Sequence, residues 1–343
     1  MKDRSRFRPR RTSLCSIGQS PATRNLAISW FGSEEPTIHL EFGPLVLVAT
    51  VVPALFAEPR CPGNVVSLPF RLVNGYQIVV PVSINHSGPY DFLLDTGTQT
   101  TIVGPSLAGE LHLNAKGAAK VSGAAIHGSA ILTQLEQVEV GSHSFGNRNV
   151  LVYELLNLRS VDGHVRGILG EDFVGNLDML IDYSHKLLCL DDSTAMRSAI
   201  RGTHVLLLTS MKEGGNTSTS NLLIVAAHLS GESGSSRLML DSGSSIPYLY
   251  NTSQRLPQVG AQRSFGGASL IGSGADGDQQ VFFALPPQKV TIGKIELPQV
   301  TFLTLAYARK DPAATKFDGL LTMNLFRYVF ICHAEHFAVL EAK

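Results

Sequence analysis

Two aspartates stand in closely matched surroundings. Asp95 follows Phe92-Leu93-Leu94 and precedes Thr96-Gly97-Thr98, and Asp241 follows Leu238-Met239-Leu240 and precedes Ser242-Gly243-Ser244. In each, an apolar run that reads as a buried strand delivers one carboxylate to a corner, which the glycine allows the backbone to turn. A carboxylate so placed is costly unless it has a partner. Two carboxylates in matched settings are the residue types of acid–base hydrolysis, one serving as base and the other as acid.

By chance, an Asp-(Ser or Thr)-Gly triplet arises in about one chain in seven of this length, so one copy would read as an ordinary strand-to-turn corner. Here the likeness runs well beyond the triplets. Each is followed by an apolar segment, Thr101-Ile102-Val103 in the first copy and Ile246-Pro247-Tyr248-Leu249 in the second. Upstream, Ile78-Val79-Val80-Pro81-Val82-Ser83-Ile84 leads to the polar turn Asn85-His86-Ser87-Gly88-Pro89. The second half repeats the plan with Leu222-Leu223-Ile224-Val225-Ala226-Ala227-His228-Leu229 and Ser230-Gly231-Glu232-Ser233-Gly234.

Downstream of each motif come a Gly-rich stretch and a hairpin pattern, at 138–152 and at 290–302. Gly167-Ile168-Leu169 then lies 72 positions beyond Asp95, and Gly319-Leu320-Leu321 lies 78 beyond Asp241. Closing strands follow at 179–190 and 329–340. The chain is therefore an internal duplication of units of about 135 residues, too long a period for a solenoid, and two lobes are expected.

Composition agrees with β lobes. Of 343 residues 32 are glycine, 44% are hydrophobic and only 16% are charged, as many short strands joined by tight turns require. Helical patterning is confined to residues 105–113 and to the stretch 170–177. Formal net charge is zero and the repeats carry no basic stripe or stacking aromatic cluster, which argues against nucleic acid as a ligand.

The paired motifs, each with its apolar-apolar-glycine element, resemble the aspartic protease superfamily over roughly residues 65–343. Viral-type members carry one such unit per chain and dimerise, whereas pepsin-type members carry two. This chain has the second arrangement with short units and Gly-rich flaps closer to the retropepsin type, so the resemblance implies a bacterial-type, retropepsin-like protease with fused halves. The implied fold is all-β and bilobal, two pseudo-twofold-related barrel-like lobes at 61–197 and 198–343 with a cleft between them.

The resemblance also assigns roles. Asp95 and Asp241 would meet across the pseudo-twofold axis and share one proton, since like charges about 3 Å apart do not both ionise easily. The ionised aspartate would take a proton from a water held between them, and the protonated one would donate to the developing oxyanion of the peptide carbonyl. Gly97 and Gly243 would let backbone amides approach the carboxylates. Thr96 and Ser242 would hydrogen-bond across the lobes, and Thr98 and Ser244 would hydrogen-bond the outer carboxylate oxygens. Segments 121–129 and 264–277, with Gly123, Ile126, Gly128, Gly267, Leu270 and Gly272, are the flap candidates. The partner is a peptide or protein substrate, with no metal or cofactor, and one chain supplies both aspartates, so activity as a monomer is expected.

Two departures from the family pattern stand out. The first apolar-apolar-glycine element is intact at Ile168-Leu169-Gly170, but the second ends in Thr322, which raises the prospect of a distorted second lobe. Neither flap candidate contains a tyrosine. A catalytically silent protein that keeps the cleft for peptide or partner binding is the alternative. A glycoside hydrolase is disfavoured, because its carboxylates need no such symmetry and the single tryptophan, Trp30, lies outside the repeats.

Residues 1–60 read as a leader or extension. Six of the first 11 residues are basic, and the apolar run at 44–57 suits a secretory h-region and is short for a membrane span. Glu34, Glu35 and Glu41 ahead of it do not suit a signal peptide. Export to a periplasmic or extracellular location is expected, with 44–57 as the candidate for membrane contact. Cys15, Cys61, Cys189 and Cys332 lack metal-ligand spacing; Cys189 and Cys332 fall in the two closing strands and are expected as buried free thiols. His333 and His336 are read as neighbours on opposite faces of a strand, which makes a metal site improbable.

Overall fold

The structure, a computed structural model, describes residues 60–343 except 123–126, 157, 159–161, 209–221, 233, 251–268, 274–278 and 306–315. All of these belong to one compact unit that spans 57–343. Residues 1–59, with the apolar run at 44–57 of the expected leader or extension, lie outside the described residues. Among the described residues no helix is long and apolar enough to cross a membrane.

The fold is all-β and bilobal. An eight-stranded sheet is built from residues 71–169, and an additional pairing of Gln77–Ile84 with His127–Val140 closes part of it into a barrel. A nine-stranded sheet from residues 224–322 repeats the plan. A six-stranded sheet joins the two, with Asp178–Asp182 and Phe326–Cys332 at its centre. Their antiparallel register, Met179 opposite Ile331 and Ile181 opposite Val329, is what a twofold axis between them produces.

The motif strands sit where the apolar runs require. Phe92, Leu93 and Leu94 are buried, as are Leu238, Met239 and Leu240. Each of these strands runs parallel to the one carrying the downstream glycine. Leu94 pairs with Leu169 in the first lobe, and Leu240 with Leu321 in the second. Close packing sets the glycines: a Cβ on Gly167 would collide with the Ile102 carbonyl, and one on Gly319 with the Tyr248 carbonyl.

The two predicted helices are shorter than the sequence suggests, at Pro105–Glu110 and Glu171–Val174. The predicted hairpins and closing strands are present, with one correction. Residues 333–336 form the turn between Phe326–Cys332 and Phe337–Ala342, so His333 and His336 are turn residues rather than strand neighbours. His336 takes a positive φ of 55° there.

The cysteines also differ from expectation. Cys189 is not a free thiol but is disulfide-bonded to Cys61, and among the described residues Cys332 is the buried free one. The strand Ser67–Pro69 adds to the edge of the six-stranded sheet with Ser67 opposite Cys189. A 3₁₀ turn at Pro62–Asn64 brings the preceding chain back on itself, and the Cys61 amide donates to Ser67 Oγ at 3.2 Å. Spacing alone carries no trace of that return, because it depends on which strand captures the chain ahead of the first lobe.

Candidate active site

The motif strands end by presenting Asp95 and Asp241 at two facing corners. Around Asp95 the Gly97 amide donates to Oδ1 at 2.8 Å and the Thr98 hydroxyl donates to Oδ2 at 2.8 Å. Around Asp241 the amides of Gly243 and Ser244 both donate to Oδ1, at 2.8 and 3.0 Å. Thr98 thus reaches its carboxylate through its hydroxyl, and Ser244 reaches its own through the amide. Its hydroxyl turns away to donate to the Ile246 carbonyl at 3.0 Å, and its amide serves the carboxylate instead.

Each glycine lies against the other motif's carboxylate. A Cβ on Gly97 would sit 2.7 Å from Asp241 Oδ2, and one on Gly243 would sit 2.6 Å from Asp95 Oδ1. Any side chain at either position would displace a carboxylate, so glycine is dictated here by close approach rather than by a turn.

Behind the carboxylates the lobes are tied by a reciprocal lattice. The Thr96 amide donates to Ser242 Oγ at 3.1 Å and the Ser242 amide donates to Thr96 Oγ1 at 3.1 Å. The two hydroxyls then donate to the strands opposite, Thr96 to the Leu240 carbonyl at 3.1 Å and Ser242 to the Leu94 carbonyl at 2.8 Å. Thr96 and Ser242 are buried, and each hydroxyl both accepts and donates, so neither leaves a polar group unmatched in the core.

Burial and proximity govern the charge. Asp241 is buried and Asp95 half-buried. Desolvation raises the pKa of both, and the neighbouring Asp95 charge adds to desolvation in pushing Asp241 up to about 8. Such a pair titrates as a unit, holding one proton over the range in which one carboxylate has ionised and the other has not.

Thr322 makes a hydrogen bond that the glycine of the first lobe does not. In the first lobe the Thr98 carbonyl, three residues beyond the aspartate, accepts from the Glu171 amide at 2.9 Å. In the second, the equivalent Ser244 carbonyl accepts from the Thr322 hydroxyl at 2.7 Å. A Cβ on Gly170 would come within 2.7 Å of the Thr98 carbonyl, so the first lobe has no room for the solution the second uses.

The flap candidates fall only in part within the described residues. Gly128 opens the strand His127–Val140, which pairs with Gly117–Ser122 to form a long hairpin; Gly123 and Ile126 lie outside the described residues. In the second lobe the matching hairpin pairs Ser269–Ser273 with Gln279–Ala284. Leu270 and Gly272 belong to its first arm. Gly267 lies outside the described residues.

Sequence reasoning missed three residues that the fold gathers beneath the carboxylates. Glu171 follows Gly170 and is buried; its Oε2 lies 3.2 Å from His333 Nε2. Tyr183 is buried as well, and burial, with the Asp241 charge as the lesser cause, raises its phenol pKa. Gln77 donates to the Gly243 carbonyl at 3.3 Å from the far lobe. The one available signal was a charged residue directly after an apolar-apolar-glycine run, where the second copy has Met323.

Residues 80–173 match a family model described as aspartyl protease. That stretch contains Asp95 and its supporting elements and stops short of Asp241. No curated protein matches the chain. The family match and the all-β architecture together support the aspartic protease superfamily and, within it, a peptidase.

Proposed function

We propose that the chain is an aspartic endopeptidase whose site is the pair Asp95 and Asp241. The observation that carries this reading is the reciprocal placement of the two motifs, each glycine against the other's carboxylate and each buried hydroxyl bonded across to the other lobe. The ionised carboxylate takes a proton from a bound water as its oxygen attacks the peptide carbonyl. The protonated carboxylate donates to the carbonyl oxygen as it becomes an oxyanion, and the proton held by the base then passes to the departing amine.

The finer reading is a bacterial-type, retropepsin-like enzyme with its two halves fused. A flap-like hairpin in each half supports it, at 117–140 and at 269–284. Both motifs come from one chain, which is consistent with action as a monomer. The Cys61–Cys189 disulfide supports export, since such bonds persist in oxidising compartments. The alternative of a silent binding protein drew on Thr322, and the hydrogen bond that Thr322 makes to Ser244 removes that motive.

The test is cleavage of a mixed peptide library by the full chain across pH 3 to 8, with and without a pepstatin-like transition-state analogue, alongside Asp95→Asn and Asp241→Asn. Inhibited cleavage that either substitution abolishes is the expected result. Retained cleavage in either variant rejects the dyad, and a folded but inactive wild type favours the binding reading.

A further inference from the structure

Beneath the dyad the pseudo-twofold symmetry breaks at one position. Gly170, Glu171 and Asp172 in the first lobe correspond to Thr322, Met323 and Asn324 in the second. Met323 is 0% exposed and Glu171 is 1% exposed. The fold thus accepts an apolar residue here, and the carboxylate is an addition that costs desolvation without being needed for packing.

The surroundings of Glu171 tie it to Asp95. Its amide donates to the Thr98 carbonyl at 2.9 Å, and the Thr98 hydroxyl donates to Asp95 Oδ2 at 2.8 Å. Its Oε1 is buried and takes no hydrogen bond among the described residues. Its Oε2 faces His333 Nε2, and His333 Nδ1 donates to the Leu177 carbonyl at 2.5 Å. A carbonyl only accepts, so Nδ1 keeps its proton in both charge states and Nε2 is the nitrogen that responds to Glu171.

The remaining charged neighbours are accounted for. Burial raises the pKa of Glu171, His333 opposes that rise and the charges of Asp95 and Asp172 add to it, while the charge of Asp178 favours protonated His333. Asp178 is matched by Arg197 at 2.8 Å. His333 is therefore left to balance Glu171.

We propose that Glu171 is a positioning residue for the dyad, its charge acting on Asp95 beside the Thr98 corner and being balanced by His333 of the six-stranded sheet. The proposal rests on the aspartic protease reading. An ionised Glu171 opposes ionisation of Asp95, and by linkage a charged dyad opposes ionisation of Glu171. Removing the carboxylate and removing the imidazole therefore push the dyad in opposite directions. The pair sets the pH at which the dyad becomes singly charged, a setting that the second lobe, with Met323, does not supply.

The experiment uses the full chain with Glu171→Gln, Glu171→Met and His333→Gln. On a cleaved peptide, the acid limb of the kcat/KM profile moves down by about half a pH unit in E171Q and up by a similar amount in H333Q. E171M, which carries the second lobe's residue, keeps the fold and follows E171Q. A packing role would change kcat or thermal stability with the limb in place, and that result overturns the proposal. A second readout needs no cleavage: by carboxyl-carbon NMR, Glu171 titrates at lower pH in Asp95→Asn than in wild type. An unchanged titration removes the charge link whatever the protein cleaves. A shifted one in a protein that cuts no peptide keeps the link and rejects the protease reading.

Discussion

The Thr322 hydroxyl takes the place of the Glu171 amide: it donates to the Ser244 carbonyl at 2.7 Å, as that amide donates to the Thr98 carbonyl at 2.9 Å. Two matched corners of the fold thus hold the same turn by different atoms. Thr322→Val keeps the shape and strands a carbonyl, so it should cost about 1–3 kcal/mol of stability. The Asp241 corner should loosen with it. Calorimetry alongside kcat measures both effects, and a Val variant as stable as wild type would show that the hydroxyl is idle.

Thr96 and Ser242 form one network rather than two bonds. Each hydroxyl accepts from the partner's amide and donates to the partner's strand, so removing either strands groups on both lobes. Thr96→Ala and Ser242→Ala should each destabilise by about 1–3 kcal/mol, and the double variant by clearly less than the sum. Chemical denaturation of the three variants supplies the cycle. Strict additivity would mean that the lobes are held by something else.

Asp241 carries a pH signature in stability as well as in activity. Its carboxyl titrates well above the ordinary value because burial and Asp95 oppose its charge. A group raised in the folded state costs nothing below its unfolded pKa of about 4, and its penalty grows as pH rises towards 8. Asp241→Asn cannot ionise, so it should melt several degrees above wild type at pH 8 and at about the same temperature at pH 3.5. Cleavage should fall at least about a hundredfold in the same protein. In wild type, kcat/KM should decline as pH rises past the point where the dyad loses its shared proton.

Much of this was legible in the sequence, because the two matched motifs state each local constraint twice. The paired motifs placed the strands Ser87–Leu94 and Ser236–Asp241, and both corners follow from a carboxylate, a small hydroxyl and a glycine in a row. What escaped is of two kinds. Glu171 meets His333 across 162 positions, a contact that no local pattern announces, and Ser244 turns its hydroxyl to Ile246, two residues on, a local choice of rotamer that residue type does not fix. The Gly-rich segment 264–277 covers only the first arm of the hairpin formed by Ser269–Ser273 and Gln279–Ala284, since glycine content marks a bend but not which arm of a hairpin carries it.

The Cys61–Cys189 bond closes a loop of 128 positions, from the start of the compact unit to its central sheet. Loop-closure entropy gives such a link about 4–5 kcal/mol, and native bonds of this kind cost about 2–5 kcal/mol when removed. Both cysteines lie in the cluster with Leu180, Met196, Phe330 and Cys332 beneath the lobes, and neither touches the carboxylates. Cys61→Ser with Cys189→Ser should therefore lower the melting temperature while leaving kcat at 25 °C within about twofold of wild type. Cys332, whose thiol burial pushes up to about 11, should not take part in exchange at neutral pH, because only the thiolate attacks a disulfide. Mass mapping after mild reduction and reoxidation checks this: recovery of the Cys61–Cys189 pair alone is expected, and a mixed pairing through Cys332 would show that the sheet opens far enough to expose it.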